Sequence, residues 1–398
     1  MQDRSDHNAP MRTIDDEERQ ARLVARHHLA ARTSSLVAVA GDLVGLHASD
    51  PASVYLAAWA RVRDVHADQV TAALYESREL VRITGMRRTM FVVPRSDVAL
   101  LQHGCAAAFV PAQTKRLAGV LENSGTASDG SAWLEDVMRR TLGALEARGD
   151  ALARELGEDV PELRATITFG EGTSWAGTFG VSTRVLFLLA TRGEIVRGRP
   201  RGSWLSSQYR WVLTEDWLDG PVRAIAADDA RRELISRWLA TYGPGTRRDL
   251  TWWTGFSWTH VKRALAELDA TEIALGDSIG YLPADDAWTP AAPGTHVALL
   301  PGLDPTTMGW KERSWYLGEH RAALFDRNGN AGPTVWVDGR IVGGWAQDEA
   351  AGVVYELLES VAPAAREALD AEATSLTTWL DGTRVTPRFR TPLEKRLG

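Results

Sequence analysis

The chain contains a polar turn, His47-Ala48-Ser49-Asp50, between two apolar segments of helical character in "LVGLHASDPASVYLAAWARV", residues 43–62. A histidine, a hydroxyl and a carboxylate this close together can do chemistry. The carboxylate can accept a proton from water and can stabilise positive charge that develops in a transition state. The imidazole can orient that water or the acid, or contact a phosphate. Asp50, supported by His47 and Ser49, is therefore the candidate catalytic residue.

Helix capping explains the same residues without any chemistry. Asp is a favoured N-cap residue and Pro is favoured at the first helical position, so Asp50-Pro51 predicts a helix start. His47 would then lie at the C-terminal end of the preceding helix, where it interacts with the helix dipole. The two interpretations are compatible, because a capping carboxylate is held rigidly.

The elements that must position this turn follow an order that occurs three times along the chain. Each copy has three helical segments and then two β-prone segments that predict a hairpin. The hairpins are "LVRITGM" with "RTMFVVP", "EIVRGRP" with "QYRWVLT", and "TEIALGDSIGYLPA". Three helices followed by a hairpin are typical of a winged helix, a module that commonly binds DNA. In the third copy, Ser257 is the expected N-cap of the recognition-type helix "SWTHVKRALAEL".

From about residue 288, short alternating segments punctuated by Gly, Pro and Asn-Gly replace the helical spacing. The "VDGR" turn between "TVWV" and "IVGGW" strongly indicates a hairpin. We therefore expect an α+β fold, predominantly α, with tandem winged helices and a small C-terminal antiparallel β-barrel. The predicted domains are a flexible tail (1–13), three winged helices (14–110, 111–222 and 223–287) and the barrel with its closing helix and basic tail (288–398).

Composition restricts the class of protein. The 398 residues, 44% hydrophobic and 24% charged, are typical of a soluble globular protein with several domains. The one cysteine, Cys105, excludes an internal disulfide and a cysteine-based zinc site, and it fits a reducing cytoplasm. We see no apolar stretch that could cross a membrane and no apolar signal core at the N-terminus.

Positive charge is concentrated in a few segments although the net charge is −7. Residues 82–95 contain four arginines and no acid, and residues 192–210 contain five arginines and one acid. Each segment is either an ordinary solvated hairpin or an arm that binds phosphate. Aromatic and basic residues also alternate in "GWKERSWYLG", which could contact nucleic acid, although a structural role is favoured for the 16 tryptophans.

Together, the tandem repeats, "PTVWVDGRIVGGW" and the polar motif after "LVGL" resemble the bacterial winged-helix DNA glycosylases that excise alkylated and crosslinked bases, the group that contains AlkZ and YcaQ. The resemblance covers roughly residues 14 to 390. The characterised branches carry Gln-x-Gln or Gln-x-Asp at the motif. This chain carries His47 and Ser49 at those two positions, with Asp50 one residue later, so what carries over is the location of the site. Either the site uses this different polar set, or this branch has lost or changed the activity.

The resemblance implies a monofunctional DNA glycosylase that hydrolyses the N-glycosidic bond of N3- or N7-alkylated purines in double-stranded DNA, with crosslinks as a further substrate. Such a base already carries positive charge, so Asp50 needs only to stabilise an oxocarbenium-like sugar and direct a water to C1′. This scheme needs no cofactor and no metal. The expected protein is a cytoplasmic, nucleoid-associated monomer that binds no membrane and contacts DNA through Arg87, Arg88, Lys311 and Arg313.

Two other functions remain open. One is a non-catalytic winged-helix DNA-binding protein, such as a transcriptional regulator. A regulator usually needs a dimer and one recognition helix, whereas three fused modules favour a monomer that encloses DNA. The other is a scaffold that binds a small molecule or a protein, against which the charged hairpins speak mildly.

Overall fold

The computed structural model describes residues 11–169, 177–286, 294–387 and 390–398. Most of the predicted N-terminal tail and Arg388 of the predicted basic tail therefore lie outside the described residues. In the described part, the helices are α1 (Asp16–Arg26), α2 (Leu36–Asp42), α3 (Pro51–Arg61), α4 (Ala67–Tyr75), α5 (Val98–Gly104), α6 (Val110–Asn123), α7 (Gly130–Arg148), α8 (Ala153–Asp159), α9 (Val181–Arg192), α10 (Thr214–Trp217), α11 (Ala227–Tyr242), α12 (Arg247–Thr254), α13 (Trp258–Glu267), α14 (Ser314–Leu317), α15 (Arg321–Leu324), α16 (Pro363–Leu380) and α17 (Glu394–Leu397).

The strands in the same described residues are short and antiparallel. They are β1 (Leu46–His47), β2 (Leu80–Thr84), β3 (Met90–Pro94), β4 (Asp150–Ala151), β5 (Thr166–Phe169), β6 (Gly177–Gly180), β7 (Ile195–Pro200), β8 (Tyr209–Leu213), β9 (Gly245–Thr246), β10 (Thr271–Leu275), β11 (Ser278–Leu282), β12 (Val297–Leu300), β13 (Thr334–Val337), β14 (Arg340–Gln347) and β15 (Val353–Leu357).

The same order of elements occurs three times: a helix, a two-residue strand, two helices and a hairpin. The three repeats run α2-β1-α3-α4-β2-β3, α7-β4-α8-α9-β7-β8 and α11-β9-α12-α13-β10-β11, and the second carries the β5–β6 pair as an insertion. In each sheet the two-residue strand pairs with the second strand of the hairpin. The helix predicted to open the first repeat is α1, which precedes the repeat and contacts α14 instead.

The chain divides into two compact units, one comprising residues 47–54 and 67–230, and the other residues 1–46, 55–66 and 231–398. We call them the polar-turn unit and the C-terminal unit. The predicted division into four domains and a tail stays a prediction. None of the helices in the described ranges is long and apolar enough to cross a membrane.

The core of the polar-turn unit forms around α9. Its apolar residues Val181, Val185 and Leu189 recur every four positions, so that they lie on one face and are buried. Gly193, with φ of 80°, adopts the left-handed conformation that ends the helix. The chain then enters the β7–β8 hairpin, in which Ile195 pairs with Leu213.

The core of the C-terminal unit is rich in aromatic rings. Trp238, Tyr242 and Trp310 are at most 2% exposed, and the Tyr242 ring lies 5.7 Å from Trp238 and 5.3 Å from Trp310. Trp315 is also buried. The structural role favoured for these tryptophans is therefore confirmed. Ser257 caps α13 as predicted, because its hydroxyl accepts a hydrogen bond from the amide of His260.

The prediction of a C-terminal barrel is wrong for the residues that the structure describes. There β12, β13, β14 and β15 form an open four-stranded antiparallel sheet in this sequence order. The segment "AALF", in the region that was expected to consist of short alternating strands, lies largely in the short helix α15. Helix α16 packs against both edge strands, β12 and β15. The helix therefore covers the two edges that would have paired with each other in a closed barrel.

The predicted "VDGR" hairpin is confirmed. Val337 pairs with Arg340 across a two-residue turn, and Asp338 and Gly339 have φ of 48° and 82°. Two successive positive φ values are those of a type I′ turn, whose twist matches that of the flanking strands. Close packing continues along β14, where a side chain at Gly343 would meet the carbonyl oxygen of Glu356.

Candidate active site

The polar turn is held by the first hairpin. His47 ends β1, which pairs with β3, and the amide of Ala48 donates a 2.8 Å hydrogen bond to the carbonyl of Met90. On the other side, Nη1 of Arg82 donates a 2.8 Å hydrogen bond to the carbonyl of Ala48. Both polar groups of the Ala48 backbone are thus satisfied, which fixes the turn relative to the hairpin.

Asp50 starts a helix, as the Asp-Pro sequence predicts. Helix α3 begins at Pro51, and Oδ1 of Asp50 accepts a 3.0 Å hydrogen bond from the amide of Ala52. The side chain is half-buried, while Ser49 beside it is exposed. The capping interaction is therefore confirmed. It leaves Asp50 partly accessible, as a base that must reach a water molecule requires.

A cluster of two arginines and two tyrosines interacts electrostatically with this carboxylate. We call Tyr75, Arg82, Arg197 and Tyr209 the Arg-Tyr cluster, in which Tyr75 acts electrostatically on both Arg197 and Tyr209. The Tyr209 ring centre is 4.9 Å from Cζ of Arg82 and 5.4 Å from Cζ of Arg197. Burial raises the pKa of the Tyr209 phenol, to which the charge of Asp50 contributes, and both arginines oppose the rise. Asp50 is thus close enough to the cluster for its charge to act there.

The Arg-Tyr cluster carries an excess of positive charge in a buried place. Arg82 is only 2% exposed, and its Nε has no hydrogen-bond partner among the described residues. Burial lowers the pKa of Arg197, and the like charge of Arg82 lowers it further. Buried like charges cost free energy unless an anion offsets them, so this environment suits a negatively charged ligand.

His47 is a neutral imidazole at physiological pH. It is 7% exposed, and its ring centre lies 5.4 Å from that of Phe91. Burial lowers the pKa of His47 to about 3, with a contribution from the charge of Arg87. Nδ1 is buried without a hydrogen-bond partner in the described ranges. His47 is thus suited to hydrogen-bond a neutral group such as water, and not to bind phosphate as a cation.

One alternative for His47 is wrong. It was expected to end the helix before the turn, but α2 already ends at Asp42 and His47 lies in β1. Two left-handed residues separate the strand from this helix, Val44 with φ of 52° and Gly45 with φ of 103°. His47 instead contacts Phe91 of the hairpin.

The four expected DNA contacts lie in different surroundings. Arg87 and Arg88 form the tip of the first hairpin with φ of 53° and 63°; Arg87 is half-buried and Arg88 is exposed. Lys311, in the C-terminal unit, is exposed, with its Nζ 5.9 Å from the Trp252 ring centre. These three positions remain suited to a phosphate contact.

Arg313 does not fit the role expected of it. It is 6% exposed, and its Cζ lies 4.9 Å from the Trp252 ring and 5.1 Å from the Phe325 ring. Its Nε donates a 2.6 Å hydrogen bond to the carbonyl of Trp310. Alternation of basic and aromatic residues therefore reflects packing of a buried guanidinium between two rings, which the sequence pattern alone does not distinguish from an exposed contact.

Metal binding has no evident place in the described part of the chain. No group of three or more His, Cys, Asp or Glu side chains there is arranged to hold an ion. The arrangement around Asp50 instead combines a half-buried carboxylate, a neutral imidazole and buried guanidinium groups.

The comparisons with known proteins identify the family of this chain. The model for the family described as "DNA glycosylase AlkZ-like" matches residues 40–379, most of the 398 residues and all of the polar turn. The chain belongs to the AlkZ-like DNA glycosylase family. The resemblance drawn from the sequence motifs is thereby confirmed.

One sequence comparison and one structure comparison, both with Streptomyces sahachiroi, show how similar this chain is to known proteins. The interstrand DNA cross-link repair glycosylase of Streptomyces sahachiroi is 29% identical over 175 residues, which cover 40% of this chain and 45% of that protein. The solved structure of Streptomyces sahachiroi DNA glycosylase AlkZ matches 92% of this chain and 97% of its own, with a TM-score of 0.71 and 19% identity. At that identity, the similarity establishes a shared fold.

Sequence reasoning missed the Arg-Tyr cluster. The basic segments that contain Arg82 and Arg197 were noted only as charge, and Tyr75 and Tyr209 were not singled out. The sequence contained one signal for Arg82, which is the charged residue inside the apolar segment "LVRIT". In the structure all five residues of this strand are buried. In this AlkZ-like chain, buried charge in a strand marked the site more clearly than exposed charge at a hairpin tip.

Proposed function

We propose that the protein is a monofunctional DNA glycosylase that hydrolyses the N-glycosidic bond of N3- or N7-alkylated purines in double-stranded DNA. The observation that carries the proposal is the position of Asp50, a half-buried carboxylate at a helix start beside the Arg-Tyr cluster, within the family match. Bases joined in an interstrand crosslink are a second substrate, suggested by the name of the Streptomyces sahachiroi relative.

The reaction assigns one role to each of the three polar residues of the turn. As the bond from C1′ to the purine nitrogen breaks, its electron pair goes to the base, which loses its positive charge. Asp50 stabilises the cationic sugar and accepts a proton from the water whose oxygen bonds to C1′. Neutral His47 orients this water through the buried Nδ1, and exposed Ser49 supplies a further hydrogen bond. The protein needs no cofactor for these steps.

DNA is held by the three repeats, which we interpret as winged helices. Arg87 and Arg88 at the first hairpin and Lys311 in the C-terminal unit bind phosphates, so that affinity decreases as salt increases. The protein acts as a monomer in the cytoplasm, at the nucleoid. A glycosylase must also expose C1′, by flipping the nucleotide or gripping a deformed duplex.

Base release from a defined duplex tests this function. The substrate is a labelled duplex with one N7-methylguanine, incubated with pure protein and then treated with alkali to cleave abasic sites. The control is the same duplex with guanine at that position. We expect strand cleavage in the damaged duplex alone.

A second function follows from the repeats themselves, since a helix, a short strand, two helices and a hairpin also make non-catalytic DNA-binding modules. Binding of the duplex with no base release, at N7- and N3-alkylated sites alike, would support that function and reject the enzyme.

A further inference from the structure

The second repeat contains a cleft of about 480 Å³ that shares only Arg197 and Tyr209 with the Arg-Tyr cluster. It lies entirely in the polar-turn unit, between the starts of α8 and α9 and the β7–β8 hairpin. The volume falls within the range of about 300–1,000 Å³ typical of small-ligand sites. It is therefore large enough for a base or a nucleotide but not for a folded partner.

The lining of this cleft is positively charged. Arg154, Arg184 and Arg197 line it, and no carboxylate is among the lining residues that the structure describes. Arg154 and Arg184 are exposed, whereas Arg197 is half-buried. Ser182 and Thr183 add hydroxyl groups in the first turn of the twelve-residue helix α9, whose N-terminal end also favours an anion. The polar groups thus match a phosphate.

The inner wall is aromatic. Phe187, Tyr209 and Trp211 line the cleft, and the Arg197 guanidinium lies 5.4 Å from both the Tyr209 and the Trp211 ring centres. Aromatic rings with guanidinium groups are the surface on which unstacked bases are held in single-strand sites. A paired base in a duplex could not enter such a cleft, whereas an unstacked nucleotide could.

The cleft is adjacent to the candidate active site. Tyr209 belongs to both, because its ring also lies 4.9 Å from Cζ of Arg82, and Arg82 in turn holds the polar turn at Ala48. Arg82 is buried, and its Nε has no hydrogen-bond partner among the described residues. A strand that passes Asp50 can therefore place a neighbouring nucleotide here.

We propose that this cleft binds one unstacked nucleotide of the DNA strand, with its phosphate at Arg154 and Arg184 and its base against Phe187 and Tyr209. This rests on the proposed function in one respect, since it assigns the strand that the enzyme repairs as the ligand. It explains why a hairpin rich in Arg and Ser borders aromatic residues. It also predicts a preference for DNA with an unpaired nucleotide.

Binding of undamaged DNA tests the cleft without any base release. The probes are a fluorescently labelled twelve-nucleotide oligothymidine and a fully paired twelve-base-pair duplex, measured by anisotropy at 50 and 200 mM salt. The variants are the double substitution Arg154→Ala with Arg184→Ala, and Phe187→Ala. The control is Arg139→Ala, because this side chain is 71% exposed on α7 and does not line the cleft. Thermal unfolding checks that every variant is folded.

Each variant has a distinct expected result. A neutralised single-strand phosphate contributes about 0.7 to the slope of log K against log salt. Loss of the one phosphate contact in the double variant should therefore reduce the ratio of the Kd at 200 mM salt to the Kd at 50 mM salt about 2.6-fold. Phe187→Ala weakens oligothymidine binding at least about fivefold and leaves the salt slope and the duplex affinity unchanged. Arg139→Ala behaves as wild type.

The opposite results overturn the proposal. Wild-type protein that does not bind oligothymidine, or a double variant with the wild-type affinity and slope, would exclude the cleft as a DNA site. Equal loss of duplex and oligothymidine binding in Phe187→Ala would exclude the inserted base. Failure of base release is a separate outcome. The cleft variants can lose oligothymidine binding in a protein that excises no base, and a protein that excises bases can have cleft variants that still bind oligothymidine.

Discussion

Asp50 both caps a helix and is the proposed catalytic group, and two substitutions at this position separate the roles. Asp50→Asn keeps an oxygen that can accept the 3.0 Å hydrogen bond from the amide of Ala52, but it removes the negative charge. Asp50→Ala removes both the acceptor and the charge. Both variants therefore lack the carboxylate, but only Asp50→Asn keeps the capping hydrogen bond.

The expected magnitudes differ accordingly. Loss of an N-cap side chain costs about 1 kcal/mol, and loss of a charge at a helix N-terminus about 0.3–1 kcal/mol. Asp50→Asn should therefore lower the free energy of unfolding by less than about 1 kcal/mol, and Asp50→Ala by about 1–2 kcal/mol. Loss of a charge-stabilising group from a transition state costs about 10²–10³ in rate. Both variants should release base that much more slowly.

Single-turnover base release from the N7-methylguanine duplex, with protein in excess, measures the chemical step, and urea unfolding measures stability. The informative variant is Asp50→Asn, since its fold and cap are retained. If Asp50→Asn releases base within about threefold of the wild-type rate, the carboxylate is a cap and not the catalytic group. An equal loss of stability in the two variants would show that the cap contributes nothing.

Four further results are expected. Because burial lowers the pKa of His47 to about 3, unfolding takes up a proton between that pH and about 6.5, so the free energy of unfolding should fall as the pH falls. His47→Gln should remove about 2–3 kcal/mol of the difference in the free energy of unfolding between pH 7 and pH 4.5. If this difference is unchanged in the variant, the histidine is already charged in the folded protein. Base release should show no titration of His47 between pH 5 and 8. Arg87→Ala combined with Arg88→Ala should lower the salt slope of duplex binding by about 1.8, and an unaltered slope would remove this hairpin from the DNA contact. Arg61 and Asp304 are both 0% exposed and are joined by hydrogen bonds of 2.9 and 2.7 Å. Asp304→Ala should lower the free energy of unfolding in urea by about 3–5 kcal/mol, because it leaves the buried Arg61 charge unpaired, whereas Asp304→Leu with Arg61→Met should recover most of this loss. Equal losses in the two variants would contradict an unpaired buried charge as the cause.

Local features of the fold could be predicted because their partners lie within a few residues. The helix start at Asp50, the Ser257 cap and the turn at Asp338 each depend on hydrogen bonds or φ values inside one turn of chain. The repeated order of helices and hairpins was also visible, since periodicity reports which face of each element is buried. The location of the polar turn followed from the same local reasoning.

Closure of the C-terminal sheet and the surroundings of the charged residues could not be predicted in this way. An open sheet covered by α16 and a closed barrel need the same alternating strands, and only the packing of a distant helix decides between them. Arg313 and Lys311 are two residues apart in one basic and aromatic segment, yet the first is buried and the second exposed. Burial depends on segments far along the chain, to which local patterns are insensitive.

By itself, the sequence determined where a carboxylate begins a helix, the order of the repeated elements and the family to which they belong. The tertiary structure alone decided what surrounds that carboxylate. Arg82 and Tyr209 are far apart in the chain, and their contact at 4.9 Å exists only because two hairpins pack in one unit. The charge of His47 was decided likewise, because desolvation is a property of the folded interior and not of neighbouring residues.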